Sequence, residues 1–127
     1  MRTKLKPFVG KKITFSARVG RYGTRLNLNG KTVTTIAFED VRLVKNGVVQ
    51  SEILTCHIWK TLSPTIANSG ISCGDLIMFD ATVSVYEKQY EFDYKLDRIT
   101  NIEIIKKARA ITGKNQSKLI KLLPVTA

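Results

Sequence analysis

The stretch Gly74-Asp75-Leu76-Ile77-Met78-Phe79-Asp80-Ala81-Thr82-Val83-Ser84-Val85-Tyr86 constrains the fold more than any other part of the chain. After a Gly-Asp turn it alternates without a break. Ile77, Phe79, Ala81, Val83 and Val85 fall on one side, and Met78, Asp80, Thr82, Ser84 and Tyr86 on the other. Successive side chains of an extended chain point to opposite faces, so the pattern is a strand with one buried face. The polar face is left for solvent or a ligand. This is the expected central strand of a small sheet.

The remaining strands are placed around it. Gly10-Lys11-Lys12 leads into a first strand with Ile13, Phe15, Ala17 and Val19 inward and Thr14, Ser16 and Arg18 outward. Residues 20–31 carry three glycines and two asparagines, which predicts a flexible connection. Residues 32–44 are β-rich, but their alternation is imperfect and leaves the face of Ile36 and Phe38 open. Asn46-Gly47 is a strong hairpin signal, and residues 48–59 return as a third strand. There Leu54, Cys56 and Ile58 alternate with Ile53, Thr55, His57 and Trp59; if the first set is core, His57 and Trp59 share the outer face.

Residues 60–73, with Pro64 and Gly70, suit a short helix or irregular cap. Beyond the central strand, a second hairpin leads to Tyr90, Phe92, Tyr94 and Leu96 alternating with Glu91, Asp93, Lys95 and Asp97. Most of Tyr90, Phe92 and Tyr94 are expected in the core, with Ile99, Ile102 and Ile104 closing the sheet. Five strands in hairpin order, with one helix between the third and fourth, predict an all-β, five-stranded Greek-key barrel of the OB type over residues 1–105. A basic C-terminal tail, 106–127, follows, with a short helix fitting residues 117–123 before Pro124.

Charge narrows the partners. Residues 1–38 hold nine Lys/Arg and no acid, residues 39–103 hold six bases and all ten acids, and residues 104–127 hold six bases and no acid. Solubilising charge usually mixes both signs; two purely basic ends suggest a polyanion-binding surface, nucleic acid ahead of anionic membrane. No run approaches a membrane span, and the start Met1-Arg2-Thr3-Lys4-Leu5-Lys6-Pro7 has no apolar leader, so a cytoplasmic protein is expected. Cys56 and Cys73 are then expected as small buried hydrophobes rather than a disulfide.

Catalysis finds little support. Asp75, Asp80, Glu87, Glu91, Asp93 and Asp97 could serve a metal-dependent nuclease only by converging on one point, and Lys95 lies between Asp93 and Asp97 on their shared face. Solvated strand positions are the simpler reading. Cys56, His57 and Cys73 lack the paired spacing of a zinc site, and no nucleophile constellation or phosphate loop occurs. The expectation is a non-enzyme without metal or cofactor.

Gly10-Lys11-Lys12-Ile13-Thr14-Phe15, Arg21-Tyr22-Gly23, Phe38 to Leu43, His57-Ile58-Trp59, Gly74 to Tyr86 and Asp93-Tyr94-Lys95-Leu96 together give a pattern over residues 8–105. It resembles the OB-fold single-stranded DNA-binding proteins, in the divergent single-domain form carried by phages, plasmids and other mobile elements. The acidic C-terminal tip typical of the bacterial proteins has no counterpart in the basic end here. The resemblance implies DNA lying across the second and third strands and between the first and last hairpin loops. On this chain that surface would hold Arg18, Arg21, Tyr22, Arg25, His57, Trp59, Tyr86, Lys88, Tyr90 and Lys95.

The residue chemistry fits. Arginines flanking Tyr22 can hold phosphates while the ring stacks a base, although an exposed loop with incidental charge has the same composition. Trp59 suits either a stacking surface or a half-buried aromatic. The expected function is binding of single-stranded DNA with little sequence preference, in replication or recombination, with replication or recombination proteins and further copies of the chain as candidate partners. The residues do not separate this from an RNA-binding domain of the same geometry, and a non-catalytic adaptor in a replication complex, with a charged but non-stacking surface, is a third reading.

Overall fold

A computed structural model of the chain describes residues 2–88 and 91–108. The alternating stretches fold into five strands: β1 (Lys12–Leu26), β2 (Thr32–Lys45), β3 (Val48–Thr61), β4 (Leu76–Lys88) and β5 (Glu91–Lys106). They form one antiparallel sheet in the order β3-β2-β1-β4-β5. A short helix, α1 (Pro64–Ala67), joins β3 to β4. It starts where Pro64 presets the backbone and the Ser63 hydroxyl accepts the Ile66 N–H, and it sinks Ile66 into the core.

The long β1 makes the sheet curl. Lys12–Arg18 pair with β4, while Phe15–Leu26 pair with β2, so one strand serves two neighbours along different parts of its length. The outer strands β3 and β5 come close enough for Lys60 Nζ to stand 3.6 Å from Asp97 Oδ1. The result is an all-β, barrel-like sheet. Its inside holds Phe15, Phe38 and Phe79, with Phe79 5.4 Å from Phe38 and 6.0 Å from Phe15 between ring centroids, and Ile36, Val41, Ile58 and Leu96 beside them. Ile77, Phe79, Ala81 and Val83 of β4 are buried, as their alternation requires, and Ile36 and Phe38 join them. Val85, expected on the same side, is exposed because it lies in the part of the β4–β5 hairpin that runs past the core. No helix among the described residues is long and apolar enough to cross a membrane.

The N-terminal segment is part of this core. Thr3–Phe8 form a 3₁₀ turn that buries Leu5 completely, and Val9 bridges Val83 of β4. Sequence patterning treats the segment only as a basic lead, because one buried leucine has no periodicity.

Several expectations are corrected. Residues 20–26 are not loop: they continue β1, with Tyr22, Gly23, Thr24, Arg25 and Leu26 paired to β2. Gly20 and Gly23 are there for close approach, since a Cβ on Gly20 would meet Glu39 at 2.8 Å and one on Gly23 would meet Trp59 at 3.2 Å. Ser16 is buried, flanked across the ladders by the long side chains of Met78 and Arg42. Both cysteines are exposed. For Cys56 the cause lies in β2, where Asp40 has a left-handed backbone (φ 51°). The inward side therefore passes from Phe38 to Val41, and the core no longer extends to Cys56. Phe92 is 58 % exposed because the β4–β5 hairpin runs past the core, whereas Tyr94 packs against it. Tyr90 and the residues of the expected tail helix lie outside the described residues.

The largest correction concerns the acids. Asp75 and Asp93 are buried, not solvated. Burial pushes both carboxyls up in pKa, but hydrogen bonds and cations more than compensate: Ala108 N–H, Lys107 and Ser72 N–H at Asp75, and the N–H groups of Arg2 and Tyr94 with the Arg2 charge at Asp93. Both end below the ordinary carboxylate value of 3.8. So does Asp80, through Asn101 and Thr14, against burial. A carboxyl depressed in the folded state binds fewer protons there than in the unfolded chain, so its contribution is present above about pH 4 and lost as pH falls through the folded pKa. Urea midpoints are therefore expected to be flat from about pH 7 to 5 and to fall steeply below about pH 4. A midpoint that rises on acidification would contradict these pairings.

Candidate nucleic-acid interface

The outer face of β1, β2 and β3 is built on small residues. Gly23 lies opposite Thr35, and Ala37 lies opposite Trp59. With only hydrogen, methyl and hydroxyl groups beneath it, the indole of Trp59 rests close to the sheet, with Cζ3 3.2 Å from where a Gly23 Cβ would be. It remains 39 % exposed. The Arg21 guanidinium carbon sits 5.7 Å from the ring centroid, a cation–π arrangement. Arg21, Ala37, Glu39, Asp40, Cys56, His57 and Trp59 line a cleft of about 190 Å³. Arg18 reaches the edge of this cleft and donates to Asp40 at 2.9 Å. Arg25 extends the face along β3 by donating to the Thr61 hydroxyl at 2.6 Å.

A second cluster lies on β4 and β5. Tyr86 pairs with Asp93 across the ladder, and Lys95 stands 5.8 Å from the Tyr86 ring centroid. Arg2 closes the group: its backbone N–H donates to Asp93 Oδ1 at 2.8 Å, and its guanidinium donates to Asp93 Oδ2 at 3.3 Å and to the Tyr86 hydroxyl at 3.4 Å. Between the clusters runs a groove of about 450 Å³ whose walls include Arg2, Lys4, Cys56, His57 and Asp93. Cys56 and His57 belong to both hollows, so the surface from Trp59 to Arg2 is continuous.

Comparison with family models, with curated proteins and with solved structures gives no match to this chain.

Of the residues singled out from sequence, Arg18, Arg21, Arg25, His57 and Trp59 come together on one face, and Tyr86 with Lys95 form the second cluster. Tyr22 does not join either. It pairs with the buried Ile36, and directly opposite residues of a ladder point the same way, so Tyr22 projects to the core side of the sheet near the barrel's end, 47 % exposed. The register shift between Val19 and Tyr22 produces this placement, which no local pattern announces. Lys88 ends β4, and Tyr90 lies outside the described residues.

Sequence reasoning missed Arg2 and Lys60. Arg2 acts through Asp93, ninety-one positions away in the chain. Lys60 is held beside Asp97, which also takes Lys95 at 3.8 Å. Burial lowers the Lys60 pKa; Asp97 opposes that shift, while the charges of Lys95 and Arg2 add to it. The surface can offer a partly exposed indole, a row of guanidinium groups and a flanked tyrosine. Those are the parts that stacking and phosphate neutralisation require.

Proposed function

We propose that the protein binds single-stranded DNA with little sequence preference, as an OB-type barrel acting in replication or recombination. The observation that carries this reading is Trp59: an indole on the outer sheet face, over Gly23 and beside Ala37, with Arg21 against it and Arg25 next along the strand. A large aromatic on an open sheet face is costly unless something covers it, and a base is a flat partner of the right size. The antiparallel order β3-β2-β1-β4-β5, with α1 between β3 and β4, supports the OB reading, and in that fold the β2–β3 face takes oligonucleotides. Glu39 and Asp40 at the cleft would keep the strand's phosphates on the Arg21–Arg25 side.

The test is fluorescence anisotropy with labelled dT strands, matching RNA and a duplex across a salt series, while Trp59 emission is followed. Preferred binding of the DNA strand with quenched emission supports the proposal. Equal, weak binding of all three with unchanged emission overturns it in favour of generic charge attraction. The double variant Arg21→Ala/Arg25→Ala is expected to flatten the salt slope by about 1–2, roughly one for each phosphate left unneutralised. An unchanged slope would remove these arginines from the binding surface.

A further inference from the structure

Between α1 and β5 lies a cavity of about 560 Å³ lined by Lys60, Thr61, Ser63, Thr65, Arg98 and Thr100, together with apolar Ile66 and Ile99. It is separate from the Trp59 cleft. We infer that it is a binding site for a phosphate monoester, held by the Lys60 and Arg98 cations and by the surrounding hydroxyls.

Charge is the first argument. Asp97 is the acid paired with Lys60, at 3.6 Å, and it is shared with Lys95 at 3.8 Å. Lys60 and Arg98 are the cations in the cavity lining, and no acid is among its described residues; with Asp97 set beside Lys60 the balance is one positive charge, which suits an anion. The hydroxyls supply the second. Thr61 Oγ1 accepts from Arg25, and Ser63 Oγ accepts from the Ile66 N–H. A hydroxyl engaged as an acceptor keeps its own proton for donation, and phosphate oxygens are strong acceptors.

Backbone geometry is the third. Arg98 has φ +55°, in a stretch of β5 where the register to β4 slips between the Asp80 and Thr82 pairs. A non-glycine residue in that conformation carries strain, and bulges of this kind re-aim a side chain beside functional sites. Thr100 adds a fourth observation: its hydroxyl is buried without a hydrogen-bond partner. A buried polar atom left so gains by any acceptor brought within reach.

The ligand chemistry has two sources: a free nucleotide or inorganic phosphate, and the terminal phosphate of a strand. The site rests on this cavity and not on Trp59, so the two proposals fail separately. The experiment is an amide-resolved NMR titration of the full chain with inorganic phosphate at constant ionic strength, then with dT strands with and without a 5′-phosphate. Saturable shifts at Thr61, Thr65, Arg98 and Thr100 are expected, and they persist in Trp59→Ala. Arg98→Gly relieves the backbone strain while removing the charge, so it is expected to keep or raise the melting temperature and to abolish the shifts. Thr100→Val is expected to fold at least as stably and to bind phosphate several-fold more weakly. A preference for the 5′-phosphorylated strand assigns the site to strand ends; equal strand binding with phosphate shifts retained assigns it to the free ligand. Absence of saturable shifts, or full phosphate binding in Arg98→Gly, overturns the inference.

Discussion

Replacing Asp75 by alanine is expected to cost about 2–4 kcal/mol of stability, a large share of what a domain of this size has. The carboxylate has no solvent exposure and accepts three donors: Ser72 N–H at 2.8 Å, Ala108 N–H at 2.7 Å and Lys107 Nζ at 2.8 Å. It thus ties the turn before β4 to the end of β5. The same turn is laced to β1, with Gly74 N–H donating to Val19 O and Val19 N–H donating to Asp75 O. Alanine would leave two partly buried amides without acceptors. The lysine is a different matter, because its side chain is 54 % exposed and its pairing is screened by water. Lys107→Ala should therefore cost less than about 1 kcal/mol. Asp75→Asn should fall between, since it keeps one acceptor oxygen but turns an NH₂ toward donors. Urea denaturation of the three variants checks the order. A loss under about 1 kcal/mol for Asp75→Ala would mean that the amides find water instead.

Trp59→Ala is expected to weaken binding of a dT strand by about 1–3 kcal/mol, close to five- to 150-fold, if one base stacks on the indole. The fold should survive, because the ring lies on the outer face and is not part of the hydrophobic core cluster. Trp59→Phe should recover most of the affinity, since a smaller ring still offers a π face. Gly23→Val, by contrast, should weaken binding without touching Trp59 itself, by lifting the indole from its floor. Anisotropy gives the affinities and a circular-dichroism melt gives the fold. A folded Trp59→Ala with unchanged affinity would end the stacking proposal. The adaptor reading would then take its place.

The clusters differ in how they could be found. Trp59 and His57 are legible in the sequence because β3 alternates strictly enough to put both on the outer face once Leu54 and Ile58 are taken inward, and the structure buries those two. Arg21 and Arg25 are legible as charges next to an aromatic, but the ring that Arg21 meets is Trp59 rather than the neighbouring Tyr22. That exchange depends on the register shift in β1, which is a property of the pairing and not of the strand. The buried acids are hidden for a related reason. Asp93 alternates with apolar residues as a solvated acid would, and only the N-terminal segment, folding back from the far end of the chain, covers it.

The sequence alone determined the five strands, their hairpin order and the place of the helix. Period-two alternation, an Asn-Gly turn and a proline between the third and fourth strands act within a few residues and need no distant partner. Tertiary structure decided that residues 20–26 are strand, that Leu5 plugs the core, that Cys56 is outside it and that Arg2 meets Asp93. Each of these turns on pairings between residues far apart in the chain or on a single left-handed residue, such as Asp40 or Arg98, that moves a strand's register by one place. A one-residue slip sends every following side chain to the other face. Local patterns fix which residues alternate; only the closed sheet fixes what each side faces.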